Sequence, residues 1–363
     1  PAAYALDVTV VDTDEKLAAL AKALSSSKLI AFDTETSALD PLRSEIVGIS
    51  FAIKEGAGYY VPLGHKEQTS QLPVQQVIEA ITPAMTNPAI PKAGHNVKFD
   101  ALVLGNYGLQ VNPLSFDTMI GEWLVDPASR NLGLKDMADS LLGISMTHIE
   151  ELIGRGKKQL TMDAIPVSTT ALYAAADAEV TLRLVPIVRQ RMADHNCTRV
   201  FEEIEMPLIP VLIGMEREGI TLDIAFLNKY SREMGERLGQ IQDEVFKMVG
   251  HSFNLNSTQS LSKVLFDDLK LTPPGTNRRT SSGHFSTSAA VLDELKGQHT
   301  AVDLLLEYRE LSKLKSTYLD SLPLQADPLT HRVHTNFSQT GTVTGRLASS
   351  NPNLQNIPAR TDL

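Results

Sequence analysis

The chain has 363 residues, 42% of them hydrophobic and 21% charged, which suits two or three globular domains and excludes collagen, coiled coil and wholesale disorder. Its formal net charge is −10, so the whole-chain basic footprint common among nucleic-acid binders is missing. The single cysteine, Cys197, excludes an intrachain disulfide and fits a cytoplasmic protein with a buried, inert thiol. No stretch reaches the ~18 apolar residues of a membrane span, so no membrane partner is expected. The start, Pro1-Ala2-Ala3-Tyr4, has neither a Met nor a signal-peptide apolar region, which reads as a processed chain or a fragment.

The first 200 residues or so read as α/β. Leu29–Phe32, Ile46–Ile53 and Gly58–Val61 are short apolar strands, separated by loops rich in Gly, Ser and Asp. Helical periodicity follows over Val74–Met85, Lys98–Tyr107 and Leu134–Leu142, then over a longer span from about Thr169 to Met192. Strands first and helices later predict a mixed sheet covered by helices. Near residue 200 the pattern changes. Glu202–Glu218 is amphipathic and stops at Gly219, and Ala225–Val249 is a long helix ended by Gly250. Ser257 or Thr258 can cap a helix through Leu269. Thr272–Ser288 is a polar loop that carries Arg278 and Arg279 and no acidic residue. Helices over Ser288–Lys296 and Ala301–Leu319 follow, and the tail from Thr330 is strand-like and polar.

Three motifs carry candidate chemistry. Asp33-Thr34-Glu35-Thr36 directly follows the first predicted strand, and residues i and i+2 of a strand point to one face. Two adjacent carboxylates repel unless a cation lies between them, and hard oxygen donors suit Mg²⁺ or Mn²⁺. Gly94-His95-Asn96-Val97-Lys98-Phe99-Asp100 is a polar turn leading into a helix, with Asp100 in its first turns. Tyr173-Ala174-Ala175-Ala176-Asp177 puts a phenol and a carboxylate on one helical face, with three alanines that permit close packing. Alone, each motif is better read as a solvated acidic turn, a dipole-favoured acid or a half-buried Tyr with a surface Asp.

Taken in order, AFDTET, GHNVKFD and YAAADAEVTL resemble the three motifs of the DEDD superfamily of 3′–5′ exonucleases, tyrosine subclass, in the version found in family A DNA polymerases. Gly154–Met162, GRGKKQLTM, is similar to a stretch of the same proofreading domain. The resemblance implies a ribonuclease H-like exonuclease fold and phosphodiester hydrolysis with two divalent metal ions, Mg²⁺ or Mn²⁺. It implies that Asp33, Glu35 and Asp177 hold the first ion, that Asp33 bridges to the second, and that Asp100 holds the second largely through water. Tyr173 would orient the attacking water rather than act as a base, since a phenol is mostly protonated at neutral pH. Leu39 matches a residue that wedges against the terminal base, and Asn96 one that contacts the strand near the scissile phosphate. Ile149 falls where many relatives carry an aromatic residue that stacks on a base, a contact worth ~1–3 kcal/mol.

The second half resembles the same polymerase family. Thr344–Pro358 reads TGRLASSNPNLQNIP, Tyr308-Arg309 precedes KLKSTY at Lys313–Tyr318, and Phe253–Ser257 with Ser286-Thr287-Ser288 match the thumb tip. The resemblance implies that Arg346, Asn353, Gln355 and Asn356 meet minor-groove acceptors common to all correct base pairs. It implies backbone or template contacts for Arg309, Lys313, Lys315 and the Arg278–Arg279 loop. Turn chemistry is the alternative for the Asn and Gln side chains.

The expected organisation is an exonuclease domain at 1–195, a mostly helical thumb at 196–325 and the β-containing start of a palm at 326–363. The catalytic palm and fingers of the family lie beyond this stretch, so synthesis by the chain alone is not expected. Its partners are then DNA, as a single-stranded 3′ end and as a primer–template. A DNA-binding half that works only with a second chain supplying palm and fingers is the alternative, and a stand-alone RNA-trimming exonuclease is a third reading that the Thr344–Pro358 tail disfavours.

Overall fold

The computed structural model describes residues 4–274, 280 and 283–358, and divides into two compact units. The first comprises residues 1–218 and 337–348, the second 219–336 and 349–363. Among the described residues, no helix is long and apolar enough to cross a membrane.

The first unit is built on a six-stranded mixed sheet. Its strands are β1 (Asp7–Val10), β2 (Ile30–Thr36), β3 (Ile46–Lys54), β4 (Ala57–Pro62), β5 (Lys92–Gly94) and β6 (Leu114–Asp117), in the spatial order β1-β4-β3-β2-β5-β6. β3 runs antiparallel to β2 and β4, whereas β1–β4, β2–β5 and β5–β6 are parallel pairs. β3 is buried over seven consecutive residues, as a strand covered on both faces must be. Alternation along β2 sorts its side chains. Ile30 and Phe32 join a core with Leu17, Leu20 and Leu24 of the Asp14–Ser25 helix. Ala31 turns to the other face and packs with Ala52 and Ala178.

Ala178 belongs to the Val167–Asp194 helix, 28 residues long, which lies across β2, β3 and β4. Small residues set its approach: a Cβ on Gly58 of β4 would stand 2.8 Å from the Ala175 methyl. The sheet and its helical cover agree with the mixed α/β class. Several details differ from the expectation, which also lacked the short strands β5 and β6 and the Asp14–Ser25 helix. β2 extends beyond Phe32, so Asp33 to Thr36 lie within the strand rather than after it, because β3 keeps pairing through Ser50 to Ile46. The edge strand β1 was not predicted: its four residues carry too weak a pattern, and its pairing with β4 is long-range.

The segment Phe337–Ala348 returns to this first unit. Gln339 Nε2 donates to the Glu205 carbonyl at 3.0 Å and carboxylate at 2.6 Å, and Trp123 Nε1 donates to the Thr342 carbonyl at 3.1 Å.

The second unit is mostly helical. Ile224–Val249 packs Met234, Ile241 and Val245 against Val302, Leu305 and Leu311 of the Thr300–Leu314 helix. Asp223 caps the first of these by accepting from the Phe226 N–H at 2.9 Å, and Gly250 ends it at φ +86°. Ser257 caps the next helix by accepting from the Ser260 N–H. The strand-like tail forms short pieces, of which Arg332–Val333 pairs with Ile220–Thr221.

Candidate active site

Asp33 and Glu35 share the face of β2 that looks toward the Val167–Asp194 helix, and that helix supplies Asp177. One carboxylate oxygen from each of the three lies within 4.8 Å of the others. Glu35 and Asp177 are each 7% exposed. Burial, and then the charges of Asp100, Glu35 and Asp177, push the Asp33 carboxyl well above the usual range. Glu35 is raised to about 8 by burial and by Asp177, and Asp177 is raised by burial against the lowering pull of Lys135. Three acids held this close, in so little water, form an arrangement that a cation would relieve.

Asp100 stands beside this group on the Val97–Asn106 helix. Its Oδ1 accepts from the Thr34 N–H at 2.9 Å and the Thr34 hydroxyl at 2.7 Å, so the residue between the two strand acids positions the acid from the neighbouring helix. Burial raises its carboxyl to about 7, although both Thr34 bonds pull it down. The helix itself is set by Asp117, at the end of β6. This carboxylate accepts from the Asn96 and Val97 N–H groups at 3.2 and 2.8 Å, and from Met119 and Ile120 at 2.9 and 3.2 Å. It therefore holds the starts of two helices, Val97–Asn106 and Thr118–Val125. Asn96 enters the first of them at φ +64°, a left-handed conformation that Asn tolerates. Asp117 was not among the expected residues, although an Asp directly before a helix is a recognisable cap signal.

Tyr173 lies one turn before Asp177 on the same helix, with its phenol directed to the neighbourhood of that carboxylate. Burial and the surrounding acids push the phenol further up, so it stays protonated and keeps an O–H to donate. Lys135 also went unsuspected. It sits on the Leu134–Met137 helix, its ammonium contacts the Asp177 carboxylate, and it lies 4.3 Å from the centroid of the Tyr173 ring. Nothing local in Leu134–Leu142 marks this lysine; only the tertiary fold brings it there. A cavity of about 400 Å³ opens beside these groups, lined by Tyr4, Met146, Thr147, Leu152, Tyr173 and Asp177 among others. Leu39 is 91% exposed, and Ile149, at the start of the Ile149–Ile153 helix, is exposed as well.

In the second unit the expected DNA-contact residues are differently placed. Lys313 and Asn356 line one cavity of about 600 Å³ with Glu310, Thr317, Tyr318 and Pro358. Arg309 is bonded to the Thr287 carbonyl and hydroxyl, and Lys315 is bonded to Ser231 and Asp320 at 3.0 and 2.9 Å. Asn353 uses its side-chain oxygen in a turn, accepting from the Gln355 N–H at 2.9 Å, while Gln355 Oε1 accepts from the Ser349 N–H at 3.1 Å. Arg346, in the segment that joins the first unit, is exposed. Arg278 and Arg279 lie outside the described residues.

Comparison with known proteins identifies two regions. The family described as 3′–5′ exonuclease matches residues 8–193, and the family described as DNA polymerase family A matches residues 224–363. The chain belongs to DNA polymerase family A and carries its 3′–5′ exonuclease domain. This family A chain is 42% identical over 366 residues to DNA polymerase I of Chloroflexus aurantiacus, a match that takes in 100% of the chain and 38% of that relative. It is 40% identical to DNA polymerase I of Pseudomonas aeruginosa, over 98% of the chain and 39% of the relative. The chain thus spans about two-fifths of the length of these polymerases. A solved structure of the POL domain of Pol1 from M. smegmatis, in complex with DNA primer-template and dNTP, superposes with a TM-score of 0.80 at 25% identity. That match covers 98% of this chain and 56% of the other.

Proposed function

We propose that the first unit of this family A chain is a metal-dependent 3′–5′ exodeoxyribonuclease that removes nucleotides from a single-stranded DNA 3′ end. The observation that carries this reading is the convergence of Asp33, Glu35 and Asp177 to within 4.8 Å, beside Tyr173. The donor set fits a divalent metal: every ligand atom is a hard carboxylate oxygen, and burial leaves these charges under-solvated. Asp33, Glu35 and Asp177 would hold one Mg²⁺ or Mn²⁺, and Asp33 with Asp100 a second. Two such ions, when bound, supply an activated water and offset charge on phosphorus and the leaving oxygen.

The chain's own groups do the positioning. Thr34 fixes Asp100 through two hydrogen bonds. Tyr173 keeps its proton and donates, so it orients an oxygen rather than deprotonating one. Leu39, Asn96 and Ile149 are proposed contacts for the single strand. Leu39 is almost fully exposed, as a wedge against a terminal base must be.

The second unit is proposed to grip a primer–template through Arg278, Arg279, Arg309, Lys313, Lys315, Asn353, Gln355 and Asn356, and Arg346 of the Phe337–Ala348 segment is proposed as a further contact. Arg309 and Lys315 must then exchange or share their present partners. The functional division is proposed at 1–195, 196–325 and 326–363, with Met206–Glu218 and Phe337–Ala348 packing with the first unit. The test is release of mononucleotides from a single-stranded DNA labelled near its 3′ end, with Mg²⁺ present. Asp33→Ala is expected to abolish release. No release by the wild type, or unchanged release by Asp33→Ala, refutes the reading.

A further inference from the structure

The proposed metal centre leaves one buried charge unused. Lys135 reaches the carboxylate cluster from the Leu134–Met137 helix, outside the motifs that supply the acids. Its side chain is 15% exposed and that of Asp177 10%, so the contact between them is largely withdrawn from water. Its charge offsets those of Asp33, Glu35 and Asp177, each of which is otherwise surrounded by other acids. The ring face of Tyr173 gives the ammonium a second favourable partner, 4.3 Å away. An ammonium on a four-carbon stem is a compact point charge that can move without remaking a planar fork, which suits a group that must come and go.

We propose that Lys135 is a built-in counter-ion of the carboxylate cluster, bonded to Asp177 in the metal-free chain and displaced when a divalent ion binds Asp33, Glu35 and Asp177. This rests on the reading of that cluster as a metal centre. Two consequences follow from charge alone. Lysine and metal compete for one carboxylate, so Lys135 raises the divalent-ion concentration at which the centre fills. In return it holds the metal-free cluster together against the repulsion of its acids. The ammonium also keeps a place to go: the Tyr173 face lies next to the carboxylate it would leave.

The test uses the full chain with Mn²⁺ alone, free Mn²⁺ being counted by its paramagnetic resonance signal. Lys135→Met keeps the apolar stem and removes the charge, and is expected to bind Mn²⁺ about tenfold tighter than the wild type, the size of one modest ion-pair difference. Its metal-free thermal midpoint falls, and saturating Mn²⁺ restores it. Lys135→Arg, which keeps a cation, stays closer to the wild-type affinity. Equal or weaker Mn²⁺ binding by Lys135→Met overturns the counter-ion proposal while leaving the metal centre intact. A wild type that binds no Mn²⁺ overturns both. If Lys135→Met does not fold without metal, a wild-type crystal structure with Mn²⁺ decides. An ammonium moved off Asp177 supports the proposal, and one still bonded to Asp177 with Mn²⁺ on all three acids overturns it.

Discussion

Lys98 and Glu216 form an ion pair inside the first unit, with side chains 9% and 2% exposed. Lys98 lies two residues before Asp100 on the same helix, and Glu216 lies near the end of the Met206–Glu218 helix. The same Glu216 oxygen accepts from the Phe337 N–H at 2.7 Å, so this carboxylate ties the Asp100 helix to the returning segment. Lys98→Met preserves the apolar volume of the stem and takes the Lys98 ammonium away from the buried Glu216 carboxylate. One-sided removal of a buried pair costs roughly 3–5 kcal/mol, or between two and four powers of ten in the folding equilibrium. Adding Glu216→Gln removes the carboxylate's charge, and the amide oxygen can still accept from Phe337. The double variant should therefore recover to within about 1–2 kcal/mol of the wild type. The assay is urea unfolding followed by tryptophan fluorescence. Trp123 is the only tryptophan and is 3% exposed in the first unit, so its signal reports that unit alone. A cost below about 1 kcal/mol for Lys98→Met, or a double variant as unstable as the single one, would refute the assignment of this pair.

Two further predictions concern the site. Folded carboxyls raised to about 8 at Glu35 and about 7 at Asp100 bind protons more tightly than the unfolded chain does. The stability they contribute is full below the ordinary carboxylate range and is lost as pH rises through those values. The thermal midpoint of the metal-free chain should fall between about pH 5 and pH 8, and saturating Mn²⁺ should flatten that fall; a metal-free midpoint rising over this range contradicts the cluster's electrostatics. Ile149→Phe places an aromatic ring on an exposed position at the start of its helix, and should tighten single-stranded DNA binding by ~1–3 kcal/mol. Fluorescence anisotropy with a short labelled oligonucleotide checks this, and unchanged affinity argues against a base at that position.

Much of the fold was legible because its signals are local. The apolar runs of β2, β3 and β4, the 3.6-residue rhythm of the Val167–Asp194 helix, and the caps at Ser257 and Gly250 each speak within a few residues. Alternation in β2 placed Asp33 and Glu35 on one face, and an i, i+4 spacing placed Tyr173 beside Asp177. What stayed hidden depends on distant partners. β1 exists because β4 lends it hydrogen bonds, and its own four residues carry little pattern. Lys135 reads as an ordinary helical lysine until the long helix brings Asp177 to it. The return of Phe337–Ala348 rests on Glu205, Glu216 and Trp123, all more than 100 residues away in sequence. Asp117 was readable as a cap, but not as one shared by two helices.

That shared cap bears on how loss-of-function data for this chain should be interpreted. Asp117 is 1% exposed and serves four backbone N–H groups, so replacing it unseats the helix that carries Asp100. On the proposed nuclease reading, a screen for inactive variants would return it alongside Asp33, Glu35, Asp100 and Asp177, and nothing in the activity would tell the five acids apart. Added divalent ion would separate them. Tighter metal can compensate for a weakened ligand, whereas no concentration of metal rebuilds a helix start that has lost its hydrogen-bond acceptor.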